Sequence, residues 1–116
     1  MVQVLIQIIS TLSLIYGAHG SVGGQKTIAK KIVDLMLDKK ASDIKIIYVD
    51  KLTSLTDVFV ICSSDSSPKA RAITNHITDE LIKHDLKPWH IEGYQHLKWV
   101  LIDYVNIVIH IFDKQA

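Results

Sequence analysis

The chain's 116 residues suffice for one domain with one modest core. Hydrophobic residues make up 48% and charged residues 22%, and the net charge is +1, so no broad field points to naked nucleic acid or an anionic membrane. A single cysteine, Cys62, excludes an intrachain disulfide and fits a reducing compartment, where it reads as a small buried hydrophobe.

Residues 1–25 carry no acidic or basic side chain. An apolar run, 2–16, leads into Gly17, Gly20, Gly23 and Gly24, which read as a flexible linker. Ala18, His19 and Gly20 resemble a small-residue cleavage site, but the basic start of a signal peptide is missing. The apolar run is shorter than the ~20 residues that a bilayer requires. An organellar leader should be rich in Arg, and this stretch has none. The segment therefore reads as an appended, poorly ordered extension, with a stray strand at Val2, Val4 and Ile6 as a minor reading. The folded domain is expected over 26–116.

Ile28, Ile32, Leu35 and Met36 recur at helical spacing and predict an amphipathic helix with one buried stripe. A strand follows over 43–49, with Ile44, Ile46 and Tyr48 on one face and Lys45, Ile47 and Val49 on the other. The polar residues 50–56 make a connection. A second strand, 57–62, is almost uninterruptedly apolar and so should be central. Ser66 or Ser67 is a natural N-cap, with Pro68 tolerated in the first turn. The helix it opens should bury Ala70, Ile73, Ile77 and Leu81 and run toward His84. Trp89 and Ile91 mark a short strand, and 94–98 a loop.

The stretch 99–112 then reads as two strands joined by a tight turn at Val105 and Asn106. Trp99, Leu101 and Asp103 share one face of the first strand; Val100, Ile102 and Tyr104 share the other. Both faces are largely apolar, which suits a hairpin covered on both sides. A two-residue turn wants φ > 0 at its centre, a conformation that β-branched Val105 resists, so strain of about 1 kcal/mol or a looser turn is expected. Trp99, Asp103 and His110 are the polar or amphipathic exceptions, and a surface built from them is the place to look for function. The expected fold class is α/β: a mixed sheet of about five strands with helices packed on it.

Familiar catalytic constellations are missing. The six histidines include no His-x-x-x-His pair, and one cysteine cannot make a zinc site. His90 and His96 read as a chance pair, and His110 as a core histidine with a hydrogen-bond partner. There is no Gly-x-Ser-x-Gly elbow, and no Asp-x-Asp pair for two-metal nucleotidyl transfer. Asp57, Glu92 and Asp103 can approach one another at strand ends, where solvated acids are the default. The turn 63–67 lacks glycine and contains an acid, so helix capping is preferred to phosphate binding.

Residues 39–44 (KKASDI), 55–61 (LTDVFVI), Ser66-Ser67, 91–93 (IEG), 99–103 (WVLID) and 108–112 (VIHIF), in that order and spacing, resemble the Iojap family of ribosomal silencing factors, RsfS. The likeness covers about 27–113. It implies a compact α/β fold, nucleotidyltransferase-like in shape but without the catalytic carboxylates. It also implies a cytoplasmic, non-enzymatic translation repressor with no cofactor, no metal and no catalytic residue. Such a factor binds the large ribosomal subunit through ribosomal protein L-fourteen and obstructs joining of the small subunit. The implied partner-binding residues are Trp99, Val100, Leu101, Ile102, Asp103 and Glu92. No membrane contact or sequence-specific nucleic-acid binding is implied; a homodimer is.

Four departures stand out. Val105-Asn106 occupies the place of the family's usual Gly-Asp. Ser63-Ser64 stands where a Gly is frequent, and Pro68 where a basic residue is usual. The chain stops at Ala116, short of the family's Arg-containing aromatic tail, which puts its ribosome affinity in question. The rival readings are a nucleotidyltransferase-like enzyme, with phosphates on 63–67 and a metal on Asp57 or Asp103, and a degenerate truncated copy.

Overall fold

The computed structural model describes residues 23–48 and 56–115. The stray strand at 2–6, Val49 and most of the 50–56 connection lie outside the described residues. In chain order the elements are α1 (Gly23–Asp38), β1 (Ser42–Tyr48), β2 (Val58–Ser64), α2 (Ser67–Ile82), β3 (His90–Glu92), β4 (Trp99–Asp103) and β5 (Ile107–Asp113). This is the expected mixed α/β order. One difference is at the start: α1 begins at Gly23, so Gly23 and Gly24 stand in its first turn. A helix's first N–H groups have no intrahelical acceptor in any case, which makes that end tolerant of a poor helix former.

The strands form one five-stranded sheet in the order β1-β2-β5-β4-β3. β2 and β5 run parallel, with Val58 opposite Ile107 and Cys62 opposite Ile111. The other three pairings are antiparallel. Placing β5 beside β2 requires a crossover, and α2 is part of it. The most apolar strands are therefore the inner ones. Every position of β5 is buried.

Both helices pack on the same face. Ala29, Ile32, Leu35 and Met36 of α1 join Ala70, Ile73, Ile77 and Leu81 of α2 over Val58, Val60 and Cys62 of β2. Val100 and Ile102 of β4, and Ile107, Ile109 and Ile111 of β5, complete this core. These alternate strand residues all point to the helices, the period-two geometry that the sequence pattern implied. Burial pushes the Cys62 thiol up to about 12, so it behaves as an inert core group.

Local chemistry fixes the joints. Ser66, in extended conformation, accepts the Lys69 N–H at 3.2 Å and caps α2, with Pro68 in the first turn. At the β4–β5 turn Val105 adopts φ +71. Its N–H donates to Asp103 Oδ1 at 2.7 Å, and Tyr104 N–H donates to the Ile107 carbonyl at 2.9 Å. The tight turn thus forms, and the strained position is the β-branched one.

Candidate functional site

The second sheet face, away from the helices, carries the side chains that the sequence singled out. Cross-strand register builds it in rows. Lys45, Ile61, His110, Leu101 and Glu92 lie side by side across all five strands. In the next row are Ile47, Phe59, Val108, Asp103 and His90. Beyond the first row on its other side, Ser63, Phe112 and Trp99 line up. The centre of the face is apolar, Lys45 marks the β1 edge, and acids with a histidine mark the β3 edge.

Aromatic rings organise the centre. Trp99 Nε1–H donates to His110 Nδ1 at 3.0 Å. Trp99 stacks on Phe112 with centroids 5.5 Å apart, and Phe59 leans on His110 at 5.4 Å. Because Nδ1 accepts the indole proton, the neutral imidazole carries its own proton on Nε2, which has no hydrogen-bond partner among the described residues. Burial lowers the His110 pKa to about 4, so the ring is neutral at physiological pH. It is the core histidine with a partner that the sequence suggested.

At the β3 edge His90 lies 3.4 Å from Glu92 and 3.6 Å from Asp103. The structure thus joins Glu92 to Asp103 through His90, which the sequence suggested only as one of a chance pair with His96; its i, i+2 spacing from Glu92 in a strand was the available signal. Gly93, at φ +79, lets this edge pass under β4, because a Cβ there would overlap the Trp99 carbonyl oxygen.

The expected partner-binding set is divided by the pleat. Trp99, Leu101, Asp103 and Glu92 share the second face, half-buried or exposed. Val100 and Ile102 have no exposed surface and lie under the helices, in the core that backs the strand. The hairpin is likewise covered unequally: β5 is buried on both faces, whereas the Trp99 side of β4 is only half-buried.

The turn after β2 is occupied with itself. Ser64 Oγ donates to the Ser66 carbonyl at 2.7 Å and accepts the Ser66 N–H at 3.3 Å. Ser66 Oγ caps the helix. Among the described residues no group of three or more His, Cys, Asp or Glu side chains is placed to hold a metal ion. No described helix is long and apolar enough to cross a membrane.

A family model, ribosomal silencing factor during starvation (RsfS), matches residues 24–116. The chain belongs to this family. It is 31% identical over 90 residues to the ribosomal silencing factor RsfS of Bacillus subtilis, covering 78% of this chain and 76% of that protein. It is 30% identical to the chloroplastic protein Iojap of Arabidopsis thaliana, covering 72% of this chain and 35% of that longer protein. A solved structure from Chromobacterium violaceum superposes with a TM-score of 0.71 at 28% identity, covering 75% of this chain and 72% of that one. One from Bacillus halodurans gives 0.68 at 31% identity, covering 80% and 84%. The RsfS match spans every element of the sheet, so the second face is part of the RsfS domain.

Proposed function

We propose that the chain silences translation by binding the large ribosomal subunit through ribosomal protein L-fourteen and obstructing joining of the small subunit. Trp99, Leu101, Asp103 and Glu92 make the contact. The observation that carries this reading is their convergence on one side of the sheet, with a Trp anchored to His110 amid aliphatic neighbours. Large aromatic residues backed by packed surroundings and rimmed by charge are the usual anchors of protein interfaces. The net charge of +1 favours a protein surface over ribosomal RNA as the partner.

The action is steric, not catalytic. The Ser66 hydroxyl caps α2 and the Ser64 hydroxyl is engaged with the Ser66 backbone, which favours a structural turn over a phosphate cradle. Two copies would pair along the β3 edge, where Trp89 is 74% and Ile91 39% exposed, since an edge strand presents unpaired backbone groups. The protein works in the cytoplasm with the ribosomes it restrains.

The test is sedimentation of mixed small and large subunits with a molar excess of the chain. The expected result is a dose-dependent loss of the joined particle. Unchanged joining at high excess would overturn the proposal. Saturable, Mg²⁺-dependent nucleotide binding would restore the enzymatic alternative.

A further inference from the structure

The chain's small net charge conceals an uneven distribution. Cations collect where β2 and β5 end and α2 begins: Lys69, Arg71, Lys98 and Lys114, with Asp65 and Asp113 as the acids. Backbone hydrogen bonds tie these segments together, Lys114 N–H to the Ser64 carbonyl at 2.8 Å and Asp113 N–H to the Lys98 carbonyl at 2.9 Å. Both acids are engaged. Asp65 lies 3.3 Å from Lys69 Nζ, and buried Asp113 accepts the Gln115 N–H at 3.0 Å. Among the described residues no carboxylate pairs with Arg71, Lys98 or Lys114, and all three are exposed.

Arg71, the chain's single arginine, lies over the Tyr94 ring, 4.9 Å from its centroid. The Tyr94 hydroxyl donates to Asn75 Oδ1 at 2.8 Å. Arg71 beside that hydroxyl, and then Asn75, hold its pKa below the ordinary value. Arg71 and Asn75, four residues apart, share one side of α2, so the stack is fixed to a helix at two points. A guanidinium held in this way loses little freedom when something lands on it. Two open hollows adjoin the pair. Arg71 borders one of about 400 Å³ with Ser67, Asn75 and buried Leu97, and Tyr94 borders one of about 350 Å³ with Gly93, Gln95 and His96.

We infer that this end of the domain binds single-stranded RNA, with a nucleobase stacked at the Arg71–Tyr94 pair and backbone phosphates on Lys98 and Lys114. Unpaired bases stack on aromatic rings and guanidinium planes with little regard to sequence, while lysines meet the phosphates. An acidic peptide would use the charge but neither the planar groups nor the hollows. The acids nearby set a direction. Asp79, whose charge reaches Tyr94, and Glu92, two residues before Tyr94, close the track on that side, so the strand runs toward Lys98 and Lys114. The Ser64 and Ser66 hydroxyls stay with the turn and the cap. On the ribosome, where this inference rests on the function proposed above, the RNA is an exposed loop of ribosomal RNA. Trp99 follows Lys98 directly, so the RNA contact adjoins the protein contact on the second sheet face.

Fluorescence anisotropy of a labelled, mixed-sequence single-stranded RNA of about 12 nucleotides, titrated with the intact chain at about 50 mM salt, tests this. Saturable binding is expected, weakened at least fivefold by Arg71→Ala and at least threefold by Arg71→Lys, which keeps the charge and loses the plane. Tyr94→Phe, which keeps the ring, should bind within twofold of the parent chain. Lys98→Ala/Lys114→Ala should weaken binding and lower its salt slope by about 1.4, the value for two single-strand phosphates. Lys83→Ala/Lys87→Ala removes the same charge beyond the other end of α2 and should change nothing. Absence of saturable binding, or equal losses from the two lysine pairs, would overturn the RNA surface. Undiminished binding by Arg71→Lys would overturn the stacking. Displacement of the RNA by polyglutamate at equal charge would overturn the inference in favour of an acidic protein. Large-subunit affinity should fall at least fivefold with Lys98→Ala/Lys114→Ala; if it is unchanged while Trp99→Ala weakens binding, the contact with ribosomal RNA is refuted. If no form binds large subunits, the proposed function fails, and the oligonucleotide result still decides the RNA surface.

Discussion

Trp99 and His110, on adjacent antiparallel strands, are joined by an indole N–H···Nδ1 hydrogen bond of 3.0 Å. The bond holds the ring that faces the proposed partner, and it requires a neutral imidazole. A protonated ring would carry hydrogen on both nitrogens and oppose the indole N–H.

Acid should therefore loosen the site. His110 has a pKa lowered by burial to about 4 in the folded protein, against an ordinary value near 6.5. The unfolded chain takes up this proton first as pH falls. His110's contribution is thus fully present above about pH 6.5, declines between about 6.5 and 4, and is gone below that, about 3 kcal/mol in all. Urea melts at pH 7 and pH 4.5 should differ, and His110→Gln should reduce the difference. An equal difference in both proteins would contradict this assignment.

Val105 should be improvable. Its φ of +71 disfavours a β-branched residue, and its side chain is 51% exposed. Val105→Gly should stabilise the fold by about 0.5–1 kcal/mol after the extra entropy of glycine is counted. Thermal melting checks it: a higher Tm is expected, and a lower one would show that the Val105 side chain contributes packing.

Gly93→Ala should do the opposite. Its φ is +79, and the added methyl would meet the Trp99 carbonyl oxygen. Loss of at least about 2 kcal/mol in a denaturant melt is expected, together with a changed Trp fluorescence spectrum. Wild-type stability would mean that β4 shifts freely at Trp99.

Ser66→Ala should remove the α2 cap and lower stability by about 1 kcal/mol, whereas Ser66→Asp should retain most of it. Ile77→Ala, at a position with no exposed surface, should cost about 2–5 kcal/mol. Chemical denaturation orders the three variants.

Much of this architecture was legible because local rules and tertiary structure agree. The β-branched runs became strands, Ala70, Ile73, Ile77 and Leu81 became the buried stripe of α2, and Ser66 became its cap. The turn at Val105 and Asn106 formed where the pattern put it, strain included. Strand order was not legible. That β5 inserts beside β2, and not simply next to β4, depends on a crossover that periodicity does not encode. The division of 99–103 followed from alternation, but which face the helices would take did not. Val100 and Ile102 proved to be the helix side. The meeting of His90 with Glu92 and Asp103 depended on β3 pairing with β4, a register that sequence spacing alone leaves open.

The most direct test is co-sedimentation with isolated large ribosomal subunits of the full chain, Trp99→Ala, Leu101→Ala and Ile82→Ala. Ile82 is half exposed on α2, in the helix layer behind the sheet. Trp99→Ala should weaken binding by about 30-fold or more, Leu101→Ala should weaken it less, and Ile82→Ala should leave it unchanged. Undiminished binding by both Trp99→Ala and Leu101→Ala would contradict a ribosome contact on this face of the sheet.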